Sequence, residues 1–346
     1  MKIRQFSAFV DVCARGLVES QVGVCEYQTA KAEKANMSEL TNGIISEVKK
    51  VICGKDEIIK MVLTGILSKG HILIEDVPGV GKTSLVLAFS KATGMNFGRV
   101  QFTPDVLPSD ITGFSIFDKA SASMRYQQGL IFHNLFLADE LNRASTRTQS
   151  ALLEAMEERQ VTVDGTTYGL PNPFVVFATQ NPTGAAGTSL LPDSQMDRFI
   201  IRISMGYPSK SSEKEMILGR KGGKDPIDTV RPLCNAATIA SMQEEVSKVY
   251  IHDKIVEYIV ELVHLTRNNK DLARGASPRA TLALADMAKA LAFISDRNYV
   301  TPADVQACFA PVMSHRVILS PEAEIAGKSM ATIMKETVKG AVPPKV

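Results

Sequence analysis

The sequence has no CxxC pair, and its five cysteines (Cys13, Cys25, Cys53, Cys234, Cys308) are odd in number and widely spaced. That argues against a disulfide framework and against zinc sites, and it fits a reducing compartment. Charge of one sign is also missing. The 39 Lys and Arg nearly balance the 37 Asp and Glu, for a formal net charge of +2, with no basic stripe. A dedicated nucleic-acid-binding surface is therefore not expected. No apolar run reaches the length of a membrane span. The basic Met1-Lys2-Ile3-Arg4 precedes Phe6-Ser7-Ala8-Phe9-Val10, but Asp11 and Arg15 interrupt that run too early for a secretory leader. The reading is a cytoplasmic protein. There is no internal repeat and no low-complexity tract. His71, His133, His252, His264 and His315 show no metal spacing and read as structural or exposed. The methionines read as core filler.

What is present is a chain of 346 residues, 45% apolar, enough for about two domains with packed cores. Residues 1 to about 37 carry no clear periodicity. Met37 offers an alternative start, which would leave 1–36 an appendage or untranslated. Helical spacing begins at Leu40, Ile44, Ile45, Val48 and Val51, and a second helix is expected over 56–68. Five short apolar runs then read as buried strands: His71 to Ile74, Phe97 to Phe102, Leu135 to Ala138, Phe174 to Ala178 and Phe199 to Ile203. Helical patterns alternate with them, clearest over 148–159. Continuous apolar strands alternating with helices predict a parallel sheet covered on both faces. Asp164-Gly165 predicts a hairpin over 160–168, and a weaker β-rich pair flanks 119–123. After Gly206 strand signals nearly vanish. Ser277-Pro278 and Thr301-Pro302 each pair an N-cap residue with a first-turn proline. Lys221-Gly222-Gly223-Lys224-Asp225-Pro226 reads as a connector. The organisation is thus an extension over 1–37, an α/β domain over 38–207 and a smaller helical domain over 208–346.

Chemistry concentrates in a few places. Asp76-Val77-Pro78-Gly79-Val80-Gly81-Lys82-Thr83 lies between the first apolar strand and a helix that opens at Ser84. A strand, a glycine loop ending in Gly-Lys-Thr and a helix make a phosphate-binding loop, in which backbone amides and the helix N-terminus cradle phosphates. Val77 to Ser84 would hold a nucleoside triphosphate. Lys82 supplies a point charge and Thr83 a hydroxyl for Mg²⁺. The motif usually opens on glycine, and here that position is Asp76. Leu135 to Ala138 ends in Asp139-Glu140, suited to a Walker B segment. Asp139 would hold Mg²⁺ through water, and Glu140 would polarise the attacking water; the plainer alternative is a helix cap. Asn181, after the fourth strand, reads either as a water or γ-phosphate contact or as an Asn-Pro turn. For Arg198 the pattern favours a salt bridge to Asp197 or Asp193 over an arginine finger. Arg279 lies in the first turn behind Ser277, where a cation opposes the helix dipole unless an anion is near, a triphosphate or a local carboxylate.

Taken in order, these segments resemble the AAA+ ATPases, and within them the MoxR group. The resemblance is carried by Glu75 to Thr83, Gln101 to Asp105 with Leu107 to Asp110, Leu137 to Ala144, Gln149 to Val161, Ala178 to Pro182, Asp197 to Phe199 and Gly275 to Ala280. It runs from about residue 38 to the C-terminus and implies an AAA+ P-loop module with a parallel five-stranded sheet between helices, followed by a smaller all-helical lid. Asn181 would be sensor 1, Arg198 the arginine finger acting in trans and Arg279 sensor 2 acting in cis. The Asp164-Gly165 hairpin resembles the pre-sensor-1 insertion, and 113–126 the helix-2 insertion that faces the ring pore. The resemblance further implies ATP and Mg²⁺ as ligands and a homo-oligomeric ring, a hexamer. The partners would be a von Willebrand factor A domain protein and a protein client to be remodelled. Two alternatives stand beside it: a nucleic-acid motor or loader on the same scaffold, and a slow nucleotide switch.

Overall fold

The computed structural model describes residues 37–120, 122–180, 191–219 and 225–345. The readings on 1–36, on Asn181 and on the connector 221–224 lie outside the described residues. Five strands form the main sheet: β1 His71–Glu75, β2 Phe97–Gln101, β3 Leu135–Asp139, β4 Val175–Gln180 and β5 Phe199–Ile203. Neighbours are parallel throughout, in the order β2-β3-β4-β1-β5. The register aligns Leu137, Phe177, Ile72 and Ile201 in one row across the sheet.

Both faces of the sheet are covered, which is why these strands are apolar without alternation. Ile72, Ile74, Leu137 and Phe177 join one core with the helices Asp56–Leu67 and Lys82–Thr93 and with much of the C-terminal region. Their strand neighbours Leu73, Phe136, Ala138 and Val176 point the other way, onto Leu152, Leu153 and Met156 of the helix Thr146–Glu158. The Ser145 hydroxyl caps that helix by accepting the Thr148 amide, a contribution of about 1 kcal/mol. Each buried leucine contributes about 1.5–3 kcal/mol. Burial therefore holds the helix, and the cap fixes where it begins.

Both expected hairpins form. Gln160–Val163 pairs with Thr166–Gly169 around Asp164 and Gly165, whose φ of 49° and 77° suit the tight turn. Gly113–Asp118 pairs with Ser123–Gln128. Tyr126 and Tyr168 stack at 3.9 Å and join the two hairpins. Beyond β5 the chain is helical, chiefly Ala236–Ser247, Asp253–Arg267, Pro278–Ile294, Pro302–Met313 and Met330–Gly340. One antiparallel ribbon, Leu272–Arg274 with Ile318–Leu319, breaks the all-helical pattern. Ser277 and Thr301 occupy the expected cap positions. Among the described residues no helix is long and apolar enough to cross a membrane.

The turn Ser314-His315-Arg316 docks this helical region on the start of β5. The Arg316 guanidinium is buried. Its Nε lies 2.7 Å from Asp197 Oδ1, and its other nitrogens donate to the carbonyls of Asp197, Phe199, Ile200 and Val312 at 2.5–3.2 Å. His315 is hydrogen-bonded to the Phe199 carbonyl at 2.9 Å. A buried cation is tolerated only when paired and fully hydrogen-bonded, and Arg316 meets both conditions.

Candidate functional site

Because β1 lies between β4 and β5, the chain leaving β1 must cross to the far edge to begin β2. The carboxyl ends of β1, β3 and β4 converge at that switch point, where open α/β sheets bind ligands. The ends carry Glu75-Asp76, Asp139-Glu140 and Thr179-Gln180.

The loop after β1 turns through Gly79 and Gly81, with φ of 85° and 94°. Around Gly79 there is open space for a Cβ, so conformation and not crowding selects glycine there. Gly81 is the N-cap of the helix Lys82–Thr93, so its first amides face the loop. Lys82 Nζ donates to the Asp76 carbonyl at 2.8 Å. Burial holds the Lys82 ammonium below the ordinary lysine range, against the pull of the Asp139, Asp76 and Glu140 carboxylates. Lys82 and the carboxylates of Asp139, Asp76 and Glu140 thus share one field. Thr83 is half-buried and Ser84 exposed on the same turn.

Asp76 has a task that the motif does not reveal. Its Oδ1 accepts the Val77 amide at 3.1 Å. Its Oδ2 accepts the Ser204 hydroxyl at 3.2 Å, the Gly206 amide at 2.8 Å and the Met205 amide. The side chain pins the root of the loop to the segment leaving β5. Beside the loop a cleft opens, lined by Val51, Ile52, Val80, Ser84, Met205 and Met216. Lys50, Lys55, Glu215 and Asp225 line it as well, so the cleft is of mixed apolar and charged character.

Asp139 ends β3, and Glu140 follows at φ 56°, in the left-handed region. A side chain there costs about 1–2 kcal/mol. Thr179 of β4 organises both carboxylates: its hydroxyl donates to Asp139 Oδ1 at 2.6 Å and accepts the Glu140 amide at 2.8 Å. Arg99 lies 2.7 Å from Asp139 Oδ2 and Arg143 lies 2.7 Å from Glu140 Oε2. The Thr83 hydroxyl and the Asp139 carboxylate are the oxygen donors that a hard cation prefers. Among the described residues no group of three or more His, Cys, Asp or Glu could hold a metal ion. Thr83 and Asp139 are donors of the kind that could hold Mg²⁺.

Arg198 and Arg279 lie elsewhere. They share a cavity with Gly70, His71, Arg159 and Arg316 at the start of β1. β1 rises about 13 Å from His71 to Glu75, so both arginines sit at the end of the sheet away from the loop. The cis reading would have Arg279 reach its own subunit's loop, and here it stands at the other end of β1, with Arg316 docking the helical region at the start of β5. Neither expected partner of Arg198 pairs with it: Asp197 takes Arg316 and Asp193 takes Arg274. Arg198 and Arg279 instead meet on Glu157, at 3.1 and 2.8 Å.

Sequence reasoning missed Thr179, Arg99, Glu157 and the partners of Asp76. Thr179 offered a signal, as a polar residue at the tip of an apolar strand beside the named Asn181.

The chain is similar to known proteins over most of its length. Residues 71–201 match the ATPase family associated with various cellular activities (AAA), and 264–337 match the AAA lid domain. The uncharacterized protein YeaC of Bacillus subtilis is 43% identical, over 90% of this chain and 98% of its own. Chaperone MoxR1 of Mycobacterium tuberculosis is 39% identical, over 87% and 82%. A crystal structure from Cytophaga hutchinsonii superposes with a TM-score of 0.84 at 37% identity, covering 92% of this chain and 99% of that one.

Proposed function

We infer the activity from one premise: the chain belongs to the MoxR-type AAA+ ATPases. It hydrolyses ATP and uses the turnover for chaperone-like remodelling of a client protein. The observation that carries the enzymatic reading is the field shared by Lys82, Asp139 and Glu140, with Thr179 fixing the two carboxylates. The amides of Val77 to Ser84 and the Lys82 ammonium bind the phosphates, and the cleft beside Val80 takes the base. Thr83 and Asp139 would hold Mg²⁺, which neutralises charge on the β- and γ-phosphates when bound. Glu140 orients a water in line with the γ-phosphorus and takes its proton as the new O–P bond forms and the β–γ anhydride bond breaks. Asn181 is assigned to the same water.

Phosphoryl transfer also needs cations on the developing charge. Arg198 and Arg279 stand too far from their own loop to serve it. We assign both to the nucleotide of a neighbouring copy in a closed ring, with six copies as the expected number. The hairpin Gly113–Asp118/Ser123–Gln128, with Phe114, Phe117 and Met124 exposed, would face the pore of that ring. The setting is cytoplasmic, with a von Willebrand factor A domain protein as the expected partner.

The deciding experiment pairs two variants. Glu140→Gln should retain ATP binding and lose at least 90% of turnover, about tenfold or more for a lost general base. Undiminished turnover would remove Glu140 from this role. Mixing Arg198→Ala with Lys82→Ala subunits should restore part of the activity each lacks, and no recovery in verified mixed rings refutes action in trans.

A further inference from the structure

We propose that Glu157 is the counter-ion that holds Arg198 and Arg279 together in a subunit without a neighbour and releases them to the phosphates of ATP bound on a second copy of the chain. The proposal rests on the reading that these two arginines act on a neighbour's nucleotide. Glu157 acts through the arginines and is a positioning residue.

The geometry is specific. Glu157 lies in the last turn of the helix Thr146–Glu158, and its two oxygens serve different arginines. Oε2 is 3.1 Å from Arg198 Nη1 and Oε1 is 2.8 Å from Arg279 Nη2. Arg198 Nη1 also donates to the Leu153 carbonyl at 2.6 Å, one turn back on the same helix. The backbones that carry the arginines are joined as well. The Ser277 hydroxyl, capping the helix of Arg279, donates to Asp197 Oδ2 at 2.9 Å, and Asp197 directly precedes Arg198. Asp197 is otherwise committed to Arg316. Glu157 is thus the carboxylate that both Arg198 and Arg279 contact.

The same geometry makes the hold exchangeable. Each guanidinium receives one carboxylate oxygen, where its planar fork is built to take two. The side chains of Arg198, Arg279 and Glu157 are 31%, 47% and 41% exposed, so an incoming anion can reach them. A triphosphate brings more charge and more oxygens than one carboxylate. It can satisfy both forks and competes with Glu157 for Arg198 Nη1 and Arg279 Nη2. Glu157 therefore opposes ATP engagement at the subunit interface and leaves the chemical step untouched.

The test is steady-state ATP turnover of the full chain at fixed protein concentration. Glu157→Gln should lower the KM for ATP by about two- to tenfold, the scale of two partly exposed ion pairs, with kcat changed less than about twofold. Glu157→Asp, which keeps the charge, should stay nearer the wild type. Loss of packing would move both variants alike and in the opposite direction. The double variant Glu157→Gln/Arg279→Ala should show a smaller fall in KM than Glu157→Gln does alone. An unchanged or raised KM in Glu157→Gln, with Arg198→Ala and Arg279→Ala still impaired, overturns the role of Glu157 alone. Full turnover in both alanine variants overturns the trans reading and this proposal with it.

Discussion

Replacing Asp76 by glycine restores the residue that opens most phosphate-binding loops, and here it should damage the site. Four donors converge on the Asp76 carboxylate, three of them from Ser204, Met205 and Gly206. A hydrogen bond to a charged acceptor contributes about 1.5–3 kcal/mol. Three donors share one oxygen, so their contributions do not sum, and a net loss of about 2–4 kcal/mol is expected. The glycine adds backbone freedom to the unfolded chain, about another 1 kcal/mol. The buried Met205 amide would be left without its partner. Urea denaturation should show Asp76→Gly destabilised by about 3–5 kcal/mol in all. Binding of a fluorescent ATP analogue should weaken at least about threefold, because Lys82 is anchored to the carbonyl of the same residue. Asp76→Asn keeps one acceptor oxygen and the same shape, and should retain about half of the stability lost in the glycine variant. If Asp76→Gly unfolds within about 1 kcal/mol of the wild type and binds nucleotide equally well, the carboxylate does not organise the loop.

Two further outcomes test other parts of the molecule. Thr179→Val removes the hydroxyl shared by Asp139 and the Glu140 amide. It should lower kcat at least about tenfold while ATP affinity moves less than about threefold, with a stability loss of about 1–3 kcal/mol; wild-type kcat refutes the arrangement. His71 is buried, with one ring nitrogen bonded to the Met156 carbonyl and the other accepting the Val176 amide, and burial pushes it from 6.5 down to about 4. Between those values the unfolded chain binds the proton and the folded one does not. The contribution is therefore complete above about pH 6.5 and is lost as pH falls toward 4, on the order of 3 kcal/mol. His315 is held low in the same direction. Unfolding free energies at stepped pH values should fall across this window, less steeply in His71→Gln; equal slopes would exclude His71 as the source.

The parts of this structure legible in the sequence are those that repeat or abut. Strands buried on both faces show as apolar runs, and all five appear within a residue or two of their observed ends. The Asp164-Gly165 turn and the caps at Ser277 and Thr301 are local, and local chemistry identified them. The loop and the Asp139-Glu140 pair depend on contiguous residues and were equally readable. What escaped joins positions far apart. Asp76 meets residues some 130 positions later, and Arg279 meets Glu157 at a separation of 122. Such contacts leave no period in the sequence. The ribbon Leu272–Arg274/Ile318–Leu319 is too short to express a twofold alternation. The place of Arg279, at the far end of β1 from its own loop, is equally illegible because it depends on how the helical region is docked, and the buried Arg316 takes part in that docking.

The Arg316 turn also bears on whether the chain can be divided. Composition changes near Gly206 and invites a cut between an α/β half and a helical half. Such a cut would remove the guanidinium that occupies the carbonyls of Asp197, Phe199 and Ile200. It would also strip Ile239, Leu262, Leu284 and Phe309 from the core that they share with Ile72 and Phe177. The α/β half would then present bare carbonyls and a wall of aliphatic side chains to water, a surface that aggregates rather than folds. The two halves have distinct grammars and a single interior.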